Sequence, residues 1–161
     1  MSSKIKAPFW QVLGLGVIAG SRSAAAPAIA SQILQHRHSG YLAKSSLDFM
    51  QSENTAVILK ILAAGELIGD KLPAAPNRIK AAGVVFRCLS GSLAGASIYK
   101  ATGHNALAGA LLGSAAALGS TFGSYFLRKK AVSKYNLYDP IVGGVEDALV
   151  IVAGISLICT A

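Results

Sequence analysis

Residues 140–160 read PIVGGVEDALVIVAGISLICT, a stretch in which only Glu146 and Asp147 are charged. A helix of this length rises about 30 Å, which matches the thickness of the hydrocarbon core of a bilayer. Pro140 stands at the first turn, where its missing N–H leaves no bond unmade, and Asp139 is a suitable N-cap. The stretch therefore predicts a transmembrane helix that carries two acids inside the membrane.

Four more apolar stretches of comparable length precede this one. Hydrophobic residues make up 53% of the 161-residue chain and charged residues only 14%, whereas soluble domains have about 25% charged residues. We therefore expect a single integral membrane domain over 1–161, an all-α polytopic bundle of about five transmembrane helices. The predicted spans are 8–34, 54–71, 79–99, 104–127 and 140–160. A cleaved secretory signal is the alternative for the N-terminal stretch, but apolar sequence continues to Leu34.

The positive charges between the spans predict an orientation. Nine Lys and Arg residues fall on the side of the N-terminus and three on the other side, so the positive-inside rule favours a cytoplasmic N-terminus and an external C-terminus. The net charge of +8 is thus explained by topology, and no nucleic-acid partner is expected. The nine are Lys4, Lys6, Lys71, Arg78, Lys80, Arg128, Lys129, Lys130 and Lys134, and the three are Arg37, Lys44 and Lys100.

Glycines recur four residues apart along the predicted helices. In lipid such small faces allow helix backbones to approach closely, so they predict helix contacts in a tight bundle with no room for a large cofactor. The same faces leave a homo-oligomer open, and general glycine abundance accounts for part of the pattern. The pairs are Gly16 and Gly20, Gly65 and Gly69, Gly91 and Gly95, Gly109 and Gly113, and Gly119 and Gly123.

Several ionisable residues lie within the predicted spans. Each would cost about 2.5–3.5 kcal/mol at mid-membrane, so we expect them to face the bundle interior and to have partners. Lys60 lies near the outer end of its span and can reach the interface. The others are two arginines and four acids: Arg22, Arg87, Glu66, Asp70, Glu146 and Asp147. A surplus of buried acids predicts a proton or cation site. The alternative is a neutral structural cluster, if Asp70 pairs with Lys71 or Arg78 at the interface.

The first predicted helix contains a polar break motif, Gly20-Ser21-Arg22-Ser23, followed by Pro27. Pro27 cannot donate to the carbonyl of Ser23, so we expect a kink near Pro27. Arg22 and Ser23 could clamp an anion, but pairing of Arg22 with Glu66 and Glu146 is the favoured interpretation. The first and last helix pairs also suggest an inverted repeat around the third helix, a recurring transporter design.

Three motifs together resemble a known family. They are Gly20-Ser21-Arg22-Ser23 with Pro27, the block GELIGDKLP at 65–73, and Glu146-Asp147. They resemble the bacterial membrane family known as domain of unknown function 4126. The resemblance implies a small multi-helix protein of the bacterial inner membrane, with no activity to carry over. Its polar marks fall on Arg22, Glu66, Asp70, Lys71, Pro73, Glu146 and Asp147.

The favoured function is a small transporter or channel-like protein. Glu66, Asp70, Glu146 and Asp147 would bind a proton or cation, Arg22, Ser23 and Arg87 would be charge partners or an anion site, and Lys71, Pro73 and Arg78 would form a cytoplasmic loop motif. The expected partners are the bilayer and a small ion or solute. A lipid-phosphate binder or enzyme and a structural assembly partner are the alternatives. No catalytic residue, metal site or cofactor is expected, because neither a triad nor a ligand spacing occurs.

Overall fold

The structure, a computed structural model, describes residue 5 and residues 7–69, 81–135 and 139–161. Within these ranges it contains seven α-helices and no strand, which confirms the predicted all-α class. The helices are α1 (Pro8–Ser21), α2 (Ala25–His36), α3 (Gly40–Ala43), α4 (Glu53–Gly69), α5 (Ala81–Ala101), α6 (Ala106–Tyr135) and α7 (Asp139–Thr160). A short 3₁₀ turn, Asp48–Gln51, precedes α4.

Three helical stretches are long and apolar enough to cross a membrane: Ala81–Ala101, Ala106–Leu127 and Gly143–Thr160. α1 is a shorter apolar helix, and α4 has 17 residues. Large apolar side chains cover the outer surface, among them Ile61, Phe86, Leu111, Leu127 and Val152, each more than half exposed. Contiguous exposed apolar surface of this kind marks contact with lipid. The chain is therefore a helical membrane bundle.

The predicted single crossing at 8–34 is wrong, because its two halves run in opposite directions. α1 enters the bundle alongside the end of α7, where Gln11 Nε2 donates to Leu157 O at 3.1 Å and to Thr160 Oγ1 at 3.2 Å. At the other end of α1, Arg22 contacts Asp147, much earlier in α7. α1 and α7 are therefore antiparallel neighbours over this length.

After the break, α2 returns toward the end from which α1 came. Ile29 of α2 packs where a side chain on Gly154 of α7 would lie. Beyond α2, Ser39 Oγ donates to Ala101 O, at the end of α5, at 2.6 Å. Each further step along α2 thus meets a later residue of α7 or α5. α1 and α2 form a hairpin, whose tip we define as Arg22–Ala24.

The hairpin decides on which end of the bundle each terminus lies. We call one end of the bundle the near end; it holds the start of α1, residues 37–52, the α5–α6 turn and Ala161. We call the opposite end the far end; there α4 and α6 end, and α5 and α7 begin. Pro8 and Arg37 line one cavity at the near end. The prediction that the two termini lie on opposite sides is therefore wrong.

Glycine contacts hold α1, α5 and α6 together at the centre. A Cβ built on Gly16 would lie 2.6 Å from Gly113 O, and one on Gly20 would lie 2.5 Å from Ala117 O. A Cβ on Gly91 would lie 2.5 Å from Gly113 O. The backbones of these helices therefore touch directly, as small residues allow in lipid. Gly95 and Gly109 meet in the same way.

Other predicted glycine contacts do not form. A Cβ on Gly65, Gly119 or Gly123 would have no atom of the described chain within 4 Å. The expected contact faces at these three glycines are therefore wrong within the part of the bundle that the structure describes. The predicted inverted repeat stays a prediction; the break of the first segment has no counterpart in α6, which is continuous from Ala106 to Tyr135.

Candidate functional site at the hairpin tip

The helix breaks at Arg22, five residues before Pro27. Arg22 has extended backbone angles, φ −137° and ψ 108°. Pro27 is the third residue of α2, a first-turn position whose N–H has no partner within the helix. The predicted kink at Pro27 is thus a complete break before it. Pro27 has no N–H to donate to the Ser23 carbonyl. This carbonyl instead accepts a hydrogen bond from Ser90 Oγ on α5.

The Glu66 carboxylate caps the start of α2. Its Oε1 accepts from the Ser23 N–H at 2.8 Å and from the Ser23 hydroxyl at 2.9 Å, and its Oε2 accepts from the Ala24 N–H at 2.6 Å. These N–H groups lie on the two residues that precede α2, at the helix end where the macrodipole places about half a positive charge. Glu66 on α4 is therefore stabilised by backbone dipoles of the tip.

Arg22 pairs with Asp147 on α7. Arg22 Nε donates to Asp147 Oδ1 at 2.9 Å, and Nη2 donates to the same oxygen. The side chains are 5% and 14% exposed. Arg22 thus has an internal acidic partner, as favoured from sequence. Asp147 is such a partner, whereas the sequence analysis had named Glu66 and Glu146.

The carbonyl end of α1 is held by hydroxyl groups of α6. Ser120 Oγ donates to Val17 O at 2.7 Å, and Thr121 Oγ1 donates to Gly20 O at 3.2 Å. Both acceptors lie near the end of α1, and Gly20 O is one of the last carbonyls, which lack a partner within the helix. With Ser90, these hydroxyl groups are functional neighbours of the tip that the sequence analysis missed. The only signal for them was the presence of Ser and Thr within apolar spans.

The remaining predicted residues fall into two groups. Arg87 is buried at 8% exposure, one turn before Ser90 and Gly91 on the same face of α5. Glu146 is half-buried beside Asp147 on α7. Asp70, Lys71, Pro73 and Arg78 lie outside the described residues. The structure therefore brings Arg22, Ser23, Glu66 and Asp147 together, and it places Arg87 one turn from Ser90, which binds the tip.

The tip lies deep in the bundle. Asp147 is about 12 Å from the start of α7 and about 20 Å from its end, at 1.5 Å per residue. Irregular backbone at such depth is tolerated only where protein satisfies its polar groups. Here the Glu66 carboxylate and the hydroxyl groups of Ser90 and Thr121 bind backbone groups at the break. Asp147 binds the Arg22 side chain. The Glu66 carboxylate therefore lies at the break between two helices of the bundle.

The fold and the site define a class: all-helical membrane proteins with a broken helical hairpin whose polar tip meets acids from two other helices. The family described as "Domain of unknown function (DUF4126)" matches residues 10–159, and the chain belongs to this family. The resemblance noted from the three sequence motifs is thereby confirmed. No curated protein and no solved structure matches the chain.

Proposed function

We propose that the chain is a small transporter or channel-like protein, and that Glu66 binds the transported proton or small cation. The observation that supports this most is the position of the Glu66 carboxylate, inside the bundle and at a break in a membrane helix. Transporter sites recur at such discontinuities, where half-helix ends face the ligand. Burial of an ionisable side chain within the membrane costs free energy, and such residues usually have a function.

The geometry around Glu66 suits a cationic ligand. A carboxylate has about four acceptor positions, and the three tip donors occupy two on Oε1 and one on Oε2. The remaining position on Oε2 can take a proton or contribute to a cation site. The last turn of α1 ends at the same tip and carries the negative end of its macrodipole. Carbonyl oxygens there are the ligands that small hard cations prefer.

The neighbouring charges take supporting roles in this proposal. The Arg22–Asp147 pair anchors the tip to α7, so that Glu66 can exchange a tip donor for a proton or ion without loss of the hairpin. Arg87 adds positive charge on the adjacent α5. Asp70 and Glu146 are proposed as further acids on the ion path, as their positions in the sequence predicted.

Flux measurements with a matched pair of variants test the proposal. Purified protein in liposomes with a trapped pH dye, under imposed Na⁺ or K⁺ gradients, should show proton or cation flux. Glu66→Gln should abolish it, because an amide neither ionises nor offers the same negative charge. Glu53→Gln, an exposed acid in the first turn of the same α4, should leave it unchanged. Equal flux in the parent and in Glu66→Gln would refute the proposal.

The two competing functions predict different outcomes. A lipid-phosphate role for Arg22 and Ser23 requires both to leave Asp147 and Glu66, which hold them now, and nothing in the structure favours that exchange. Phosphate release from an isoprenoid pyrophosphate would support it. For a structural assembly partner, the combined Glu66→Gln and Arg22→Met change would leave biological function intact.

The bacterial inner membrane remains part of the proposal, on the strength of the family resemblance. The argument for a cytoplasmic N-terminus no longer holds, because it required the two termini to lie on opposite sides. With both at the near end, sequence segments on that side carry five Lys and Arg residues and those on the far side carry seven. We propose that the far end faces the cytoplasm, as the positive-inside rule then favours.

A further inference from the structure

A cavity of about 920 Å³ opens at the near end, between the start of α1, the segment after α2 and the α5–α6 turn. This volume lies within the range of small-molecule sites, about 300–1,000 Å³. Pro8 and Arg37 line the cavity. Each is separated from Arg22 by the length of one helix of the hairpin, roughly 20 Å at 1.5 Å per residue. The cavity is therefore distinct from the hairpin tip.

Four basic side chains line the cavity. Arg37, Lys44, Lys100 and His104 line it, and no Asp or Glu is among its lining residues. They come from separate parts of the chain: the ends of α2 and α3, the last turn of α5 and the α5–α6 turn. The fold therefore gathers cations that mutual repulsion would separate. An anion between them would remove that repulsion.

Defined contacts hold the wall of the cavity in place. Ser39 donates through Oγ to Ala101 O at 2.6 Å, and its N–H donates to Gln51 Oε1 at 2.6 Å. Thr102 Oγ1 lies 2.9 Å from His104 Nδ1. These contacts join the segment after α2 to the end of α5. The backbone next to Lys100 is thus held against the segment after α2.

The α5–α6 turn at Gly103 packs against Tyr41, which is part of the cavity wall. Gly103 has φ +81°, and a Cβ there would lie 3.5 Å from the ring of Tyr41. The left-handed backbone favours glycine at this position, and the aromatic ring covers it. Tyr41 itself lines the cavity and is 68% exposed. An amphipathic ring at the mouth of a basic cavity is suited to a ligand that is partly apolar.

We propose that this near-end cavity binds the phosphate group of a phosphate monoester. Lysine ammonium groups are compact point charges that bind phosphate oxygens, and Lys44 and Lys100 place two of them at the cavity. Three permanent cations suit a dianion better than a single carboxylate. The ester is either the headgroup of an anionic lipid or a soluble metabolite, since both present the same group. This proposal stands independently of ion binding at Glu66.

Binding of two matched probes tests the proposal and separates the sources. Calorimetry on the full chain in nonionic detergent would compare glycerol 3-phosphate with dihexanoyl phosphatidic acid, which carries the same headgroup on acyl chains. Dihexanoyl phosphatidylcholine is the zwitterionic control. We expect the phosphatidic acid to bind and the phosphatidylcholine not to bind. Binding of glycerol 3-phosphate as well would identify a soluble ester as a ligand, and its failure would leave the lipid headgroup.

Charge variants locate the binding. The double variant Lys44→Gln and Lys100→Gln should weaken binding at least about tenfold, since charge-assisted contacts exceed neutral ones. Lys129→Gln with Lys130→Gln removes the same charge from exposed positions of α6 near the far end and should have no effect. Absence of binding by either phosphate probe, or equal weakening in both double variants, would overturn the proposal.

A salt titration covers the case in which the cavity variant does not fold. For the parent protein, Kd for phosphatidic acid should rise as NaCl goes from about 0.05 M to about 0.5 M, because screening weakens exposed charge pairs. A Kd that does not depend on salt would contradict a site built from cations.

Discussion

Glu66 and Asp147 are two carboxylates at the same depth, and the protein stabilises them in different ways. Asp147 is paired with the Arg22 guanidinium, whereas Glu66 is held by two backbone N–H groups and one hydroxyl group. Among the residues that meet at the tip, two acids face one arginine, and the positive end of α2 offsets the remaining charge. A count of formal charges alone overstates the acid surplus, because it leaves out this backbone contribution.

At the residue scale, we predict that Asp147→Asn destabilises the protein by about 3–5 kcal/mol, because it leaves the Arg22 charge buried without its carboxylate. Reversible unfolding in mixed micelles would measure this. Glu53→Gln, at an exposed residue in the first turn of α4, is the control. The paired change Arg22→Met with Asp147→Leu should recover most of the loss. An unaltered unfolding free energy in Asp147→Asn would contradict the ion pair.

At the element scale, α6 has glycines with identical spacing and opposite environments. Gly109 and Gly113 touch the backbone of α5, whereas Gly119 and Gly123 face open space among the described residues. A glycine in contact with a facing backbone has no room for a methyl group. An open glycine only weakens the helix, by roughly 0.5–1 kcal/mol relative to alanine.

The two kinds of glycine therefore predict opposite effects of one substitution. Gly113→Ala should lower the melting temperature, since a Cβ there would clash with Gly91 O and overpacking costs about 1–3 kcal/mol. Gly119→Ala should leave it unchanged or raise it, because alanine is the better helix former. Thermal melts in one detergent, followed by circular dichroism, give the comparison. Equal effects of the two changes would rule out close packing of α5 against α6.

At the scale of the whole molecule, the α1–α2 hairpin places both termini and the segment 37–52 at one end. It also brings the positive end of α2 into the middle of the bundle, where α4, α5 and α7 supply its partners. A single straight crossing would carry Arg22 past these partners without exposing any helix end. The reversal of the chain at Arg22–Ala24 is therefore what places these residues next to their partners on α4, α5 and α7.

Cysteine labelling tests this topology. In a Cys88→Ser and Cys159→Ser background, Ala7→Cys and Ser46→Cys should react with an impermeant maleimide from the same side of the membrane. Lys130→Cys should react from the opposite side. All three parental residues are exposed. Labelling of Ala7→Cys together with Lys130→Cys would restore a single crossing and refute the hairpin.

Composition and hydropathy by themselves determined the class of this protein and the approximate positions of α4, α5, α6 and α7. These properties are local: a run of apolar residues has to leave water wherever it occurs. The same reasoning found Arg22, Glu66 and Asp147, since a charge in such a run has to find a partner. The length of 8–34, about 40 Å as one helix, was also a signal that one crossing needs fewer residues.

Only the tertiary structure decided that α1 and α2 reverse, that Asp147 is the partner of Arg22, and that Ser90, Ser120 and Thr121 serve the tip. Hydropathy is equal for one long helix and for two short antiparallel ones. Which of them forms depends on whether distant helices supply donors and acceptors for the broken backbone. That condition depends on contacts between residues far apart in sequence, and no local pattern contains it.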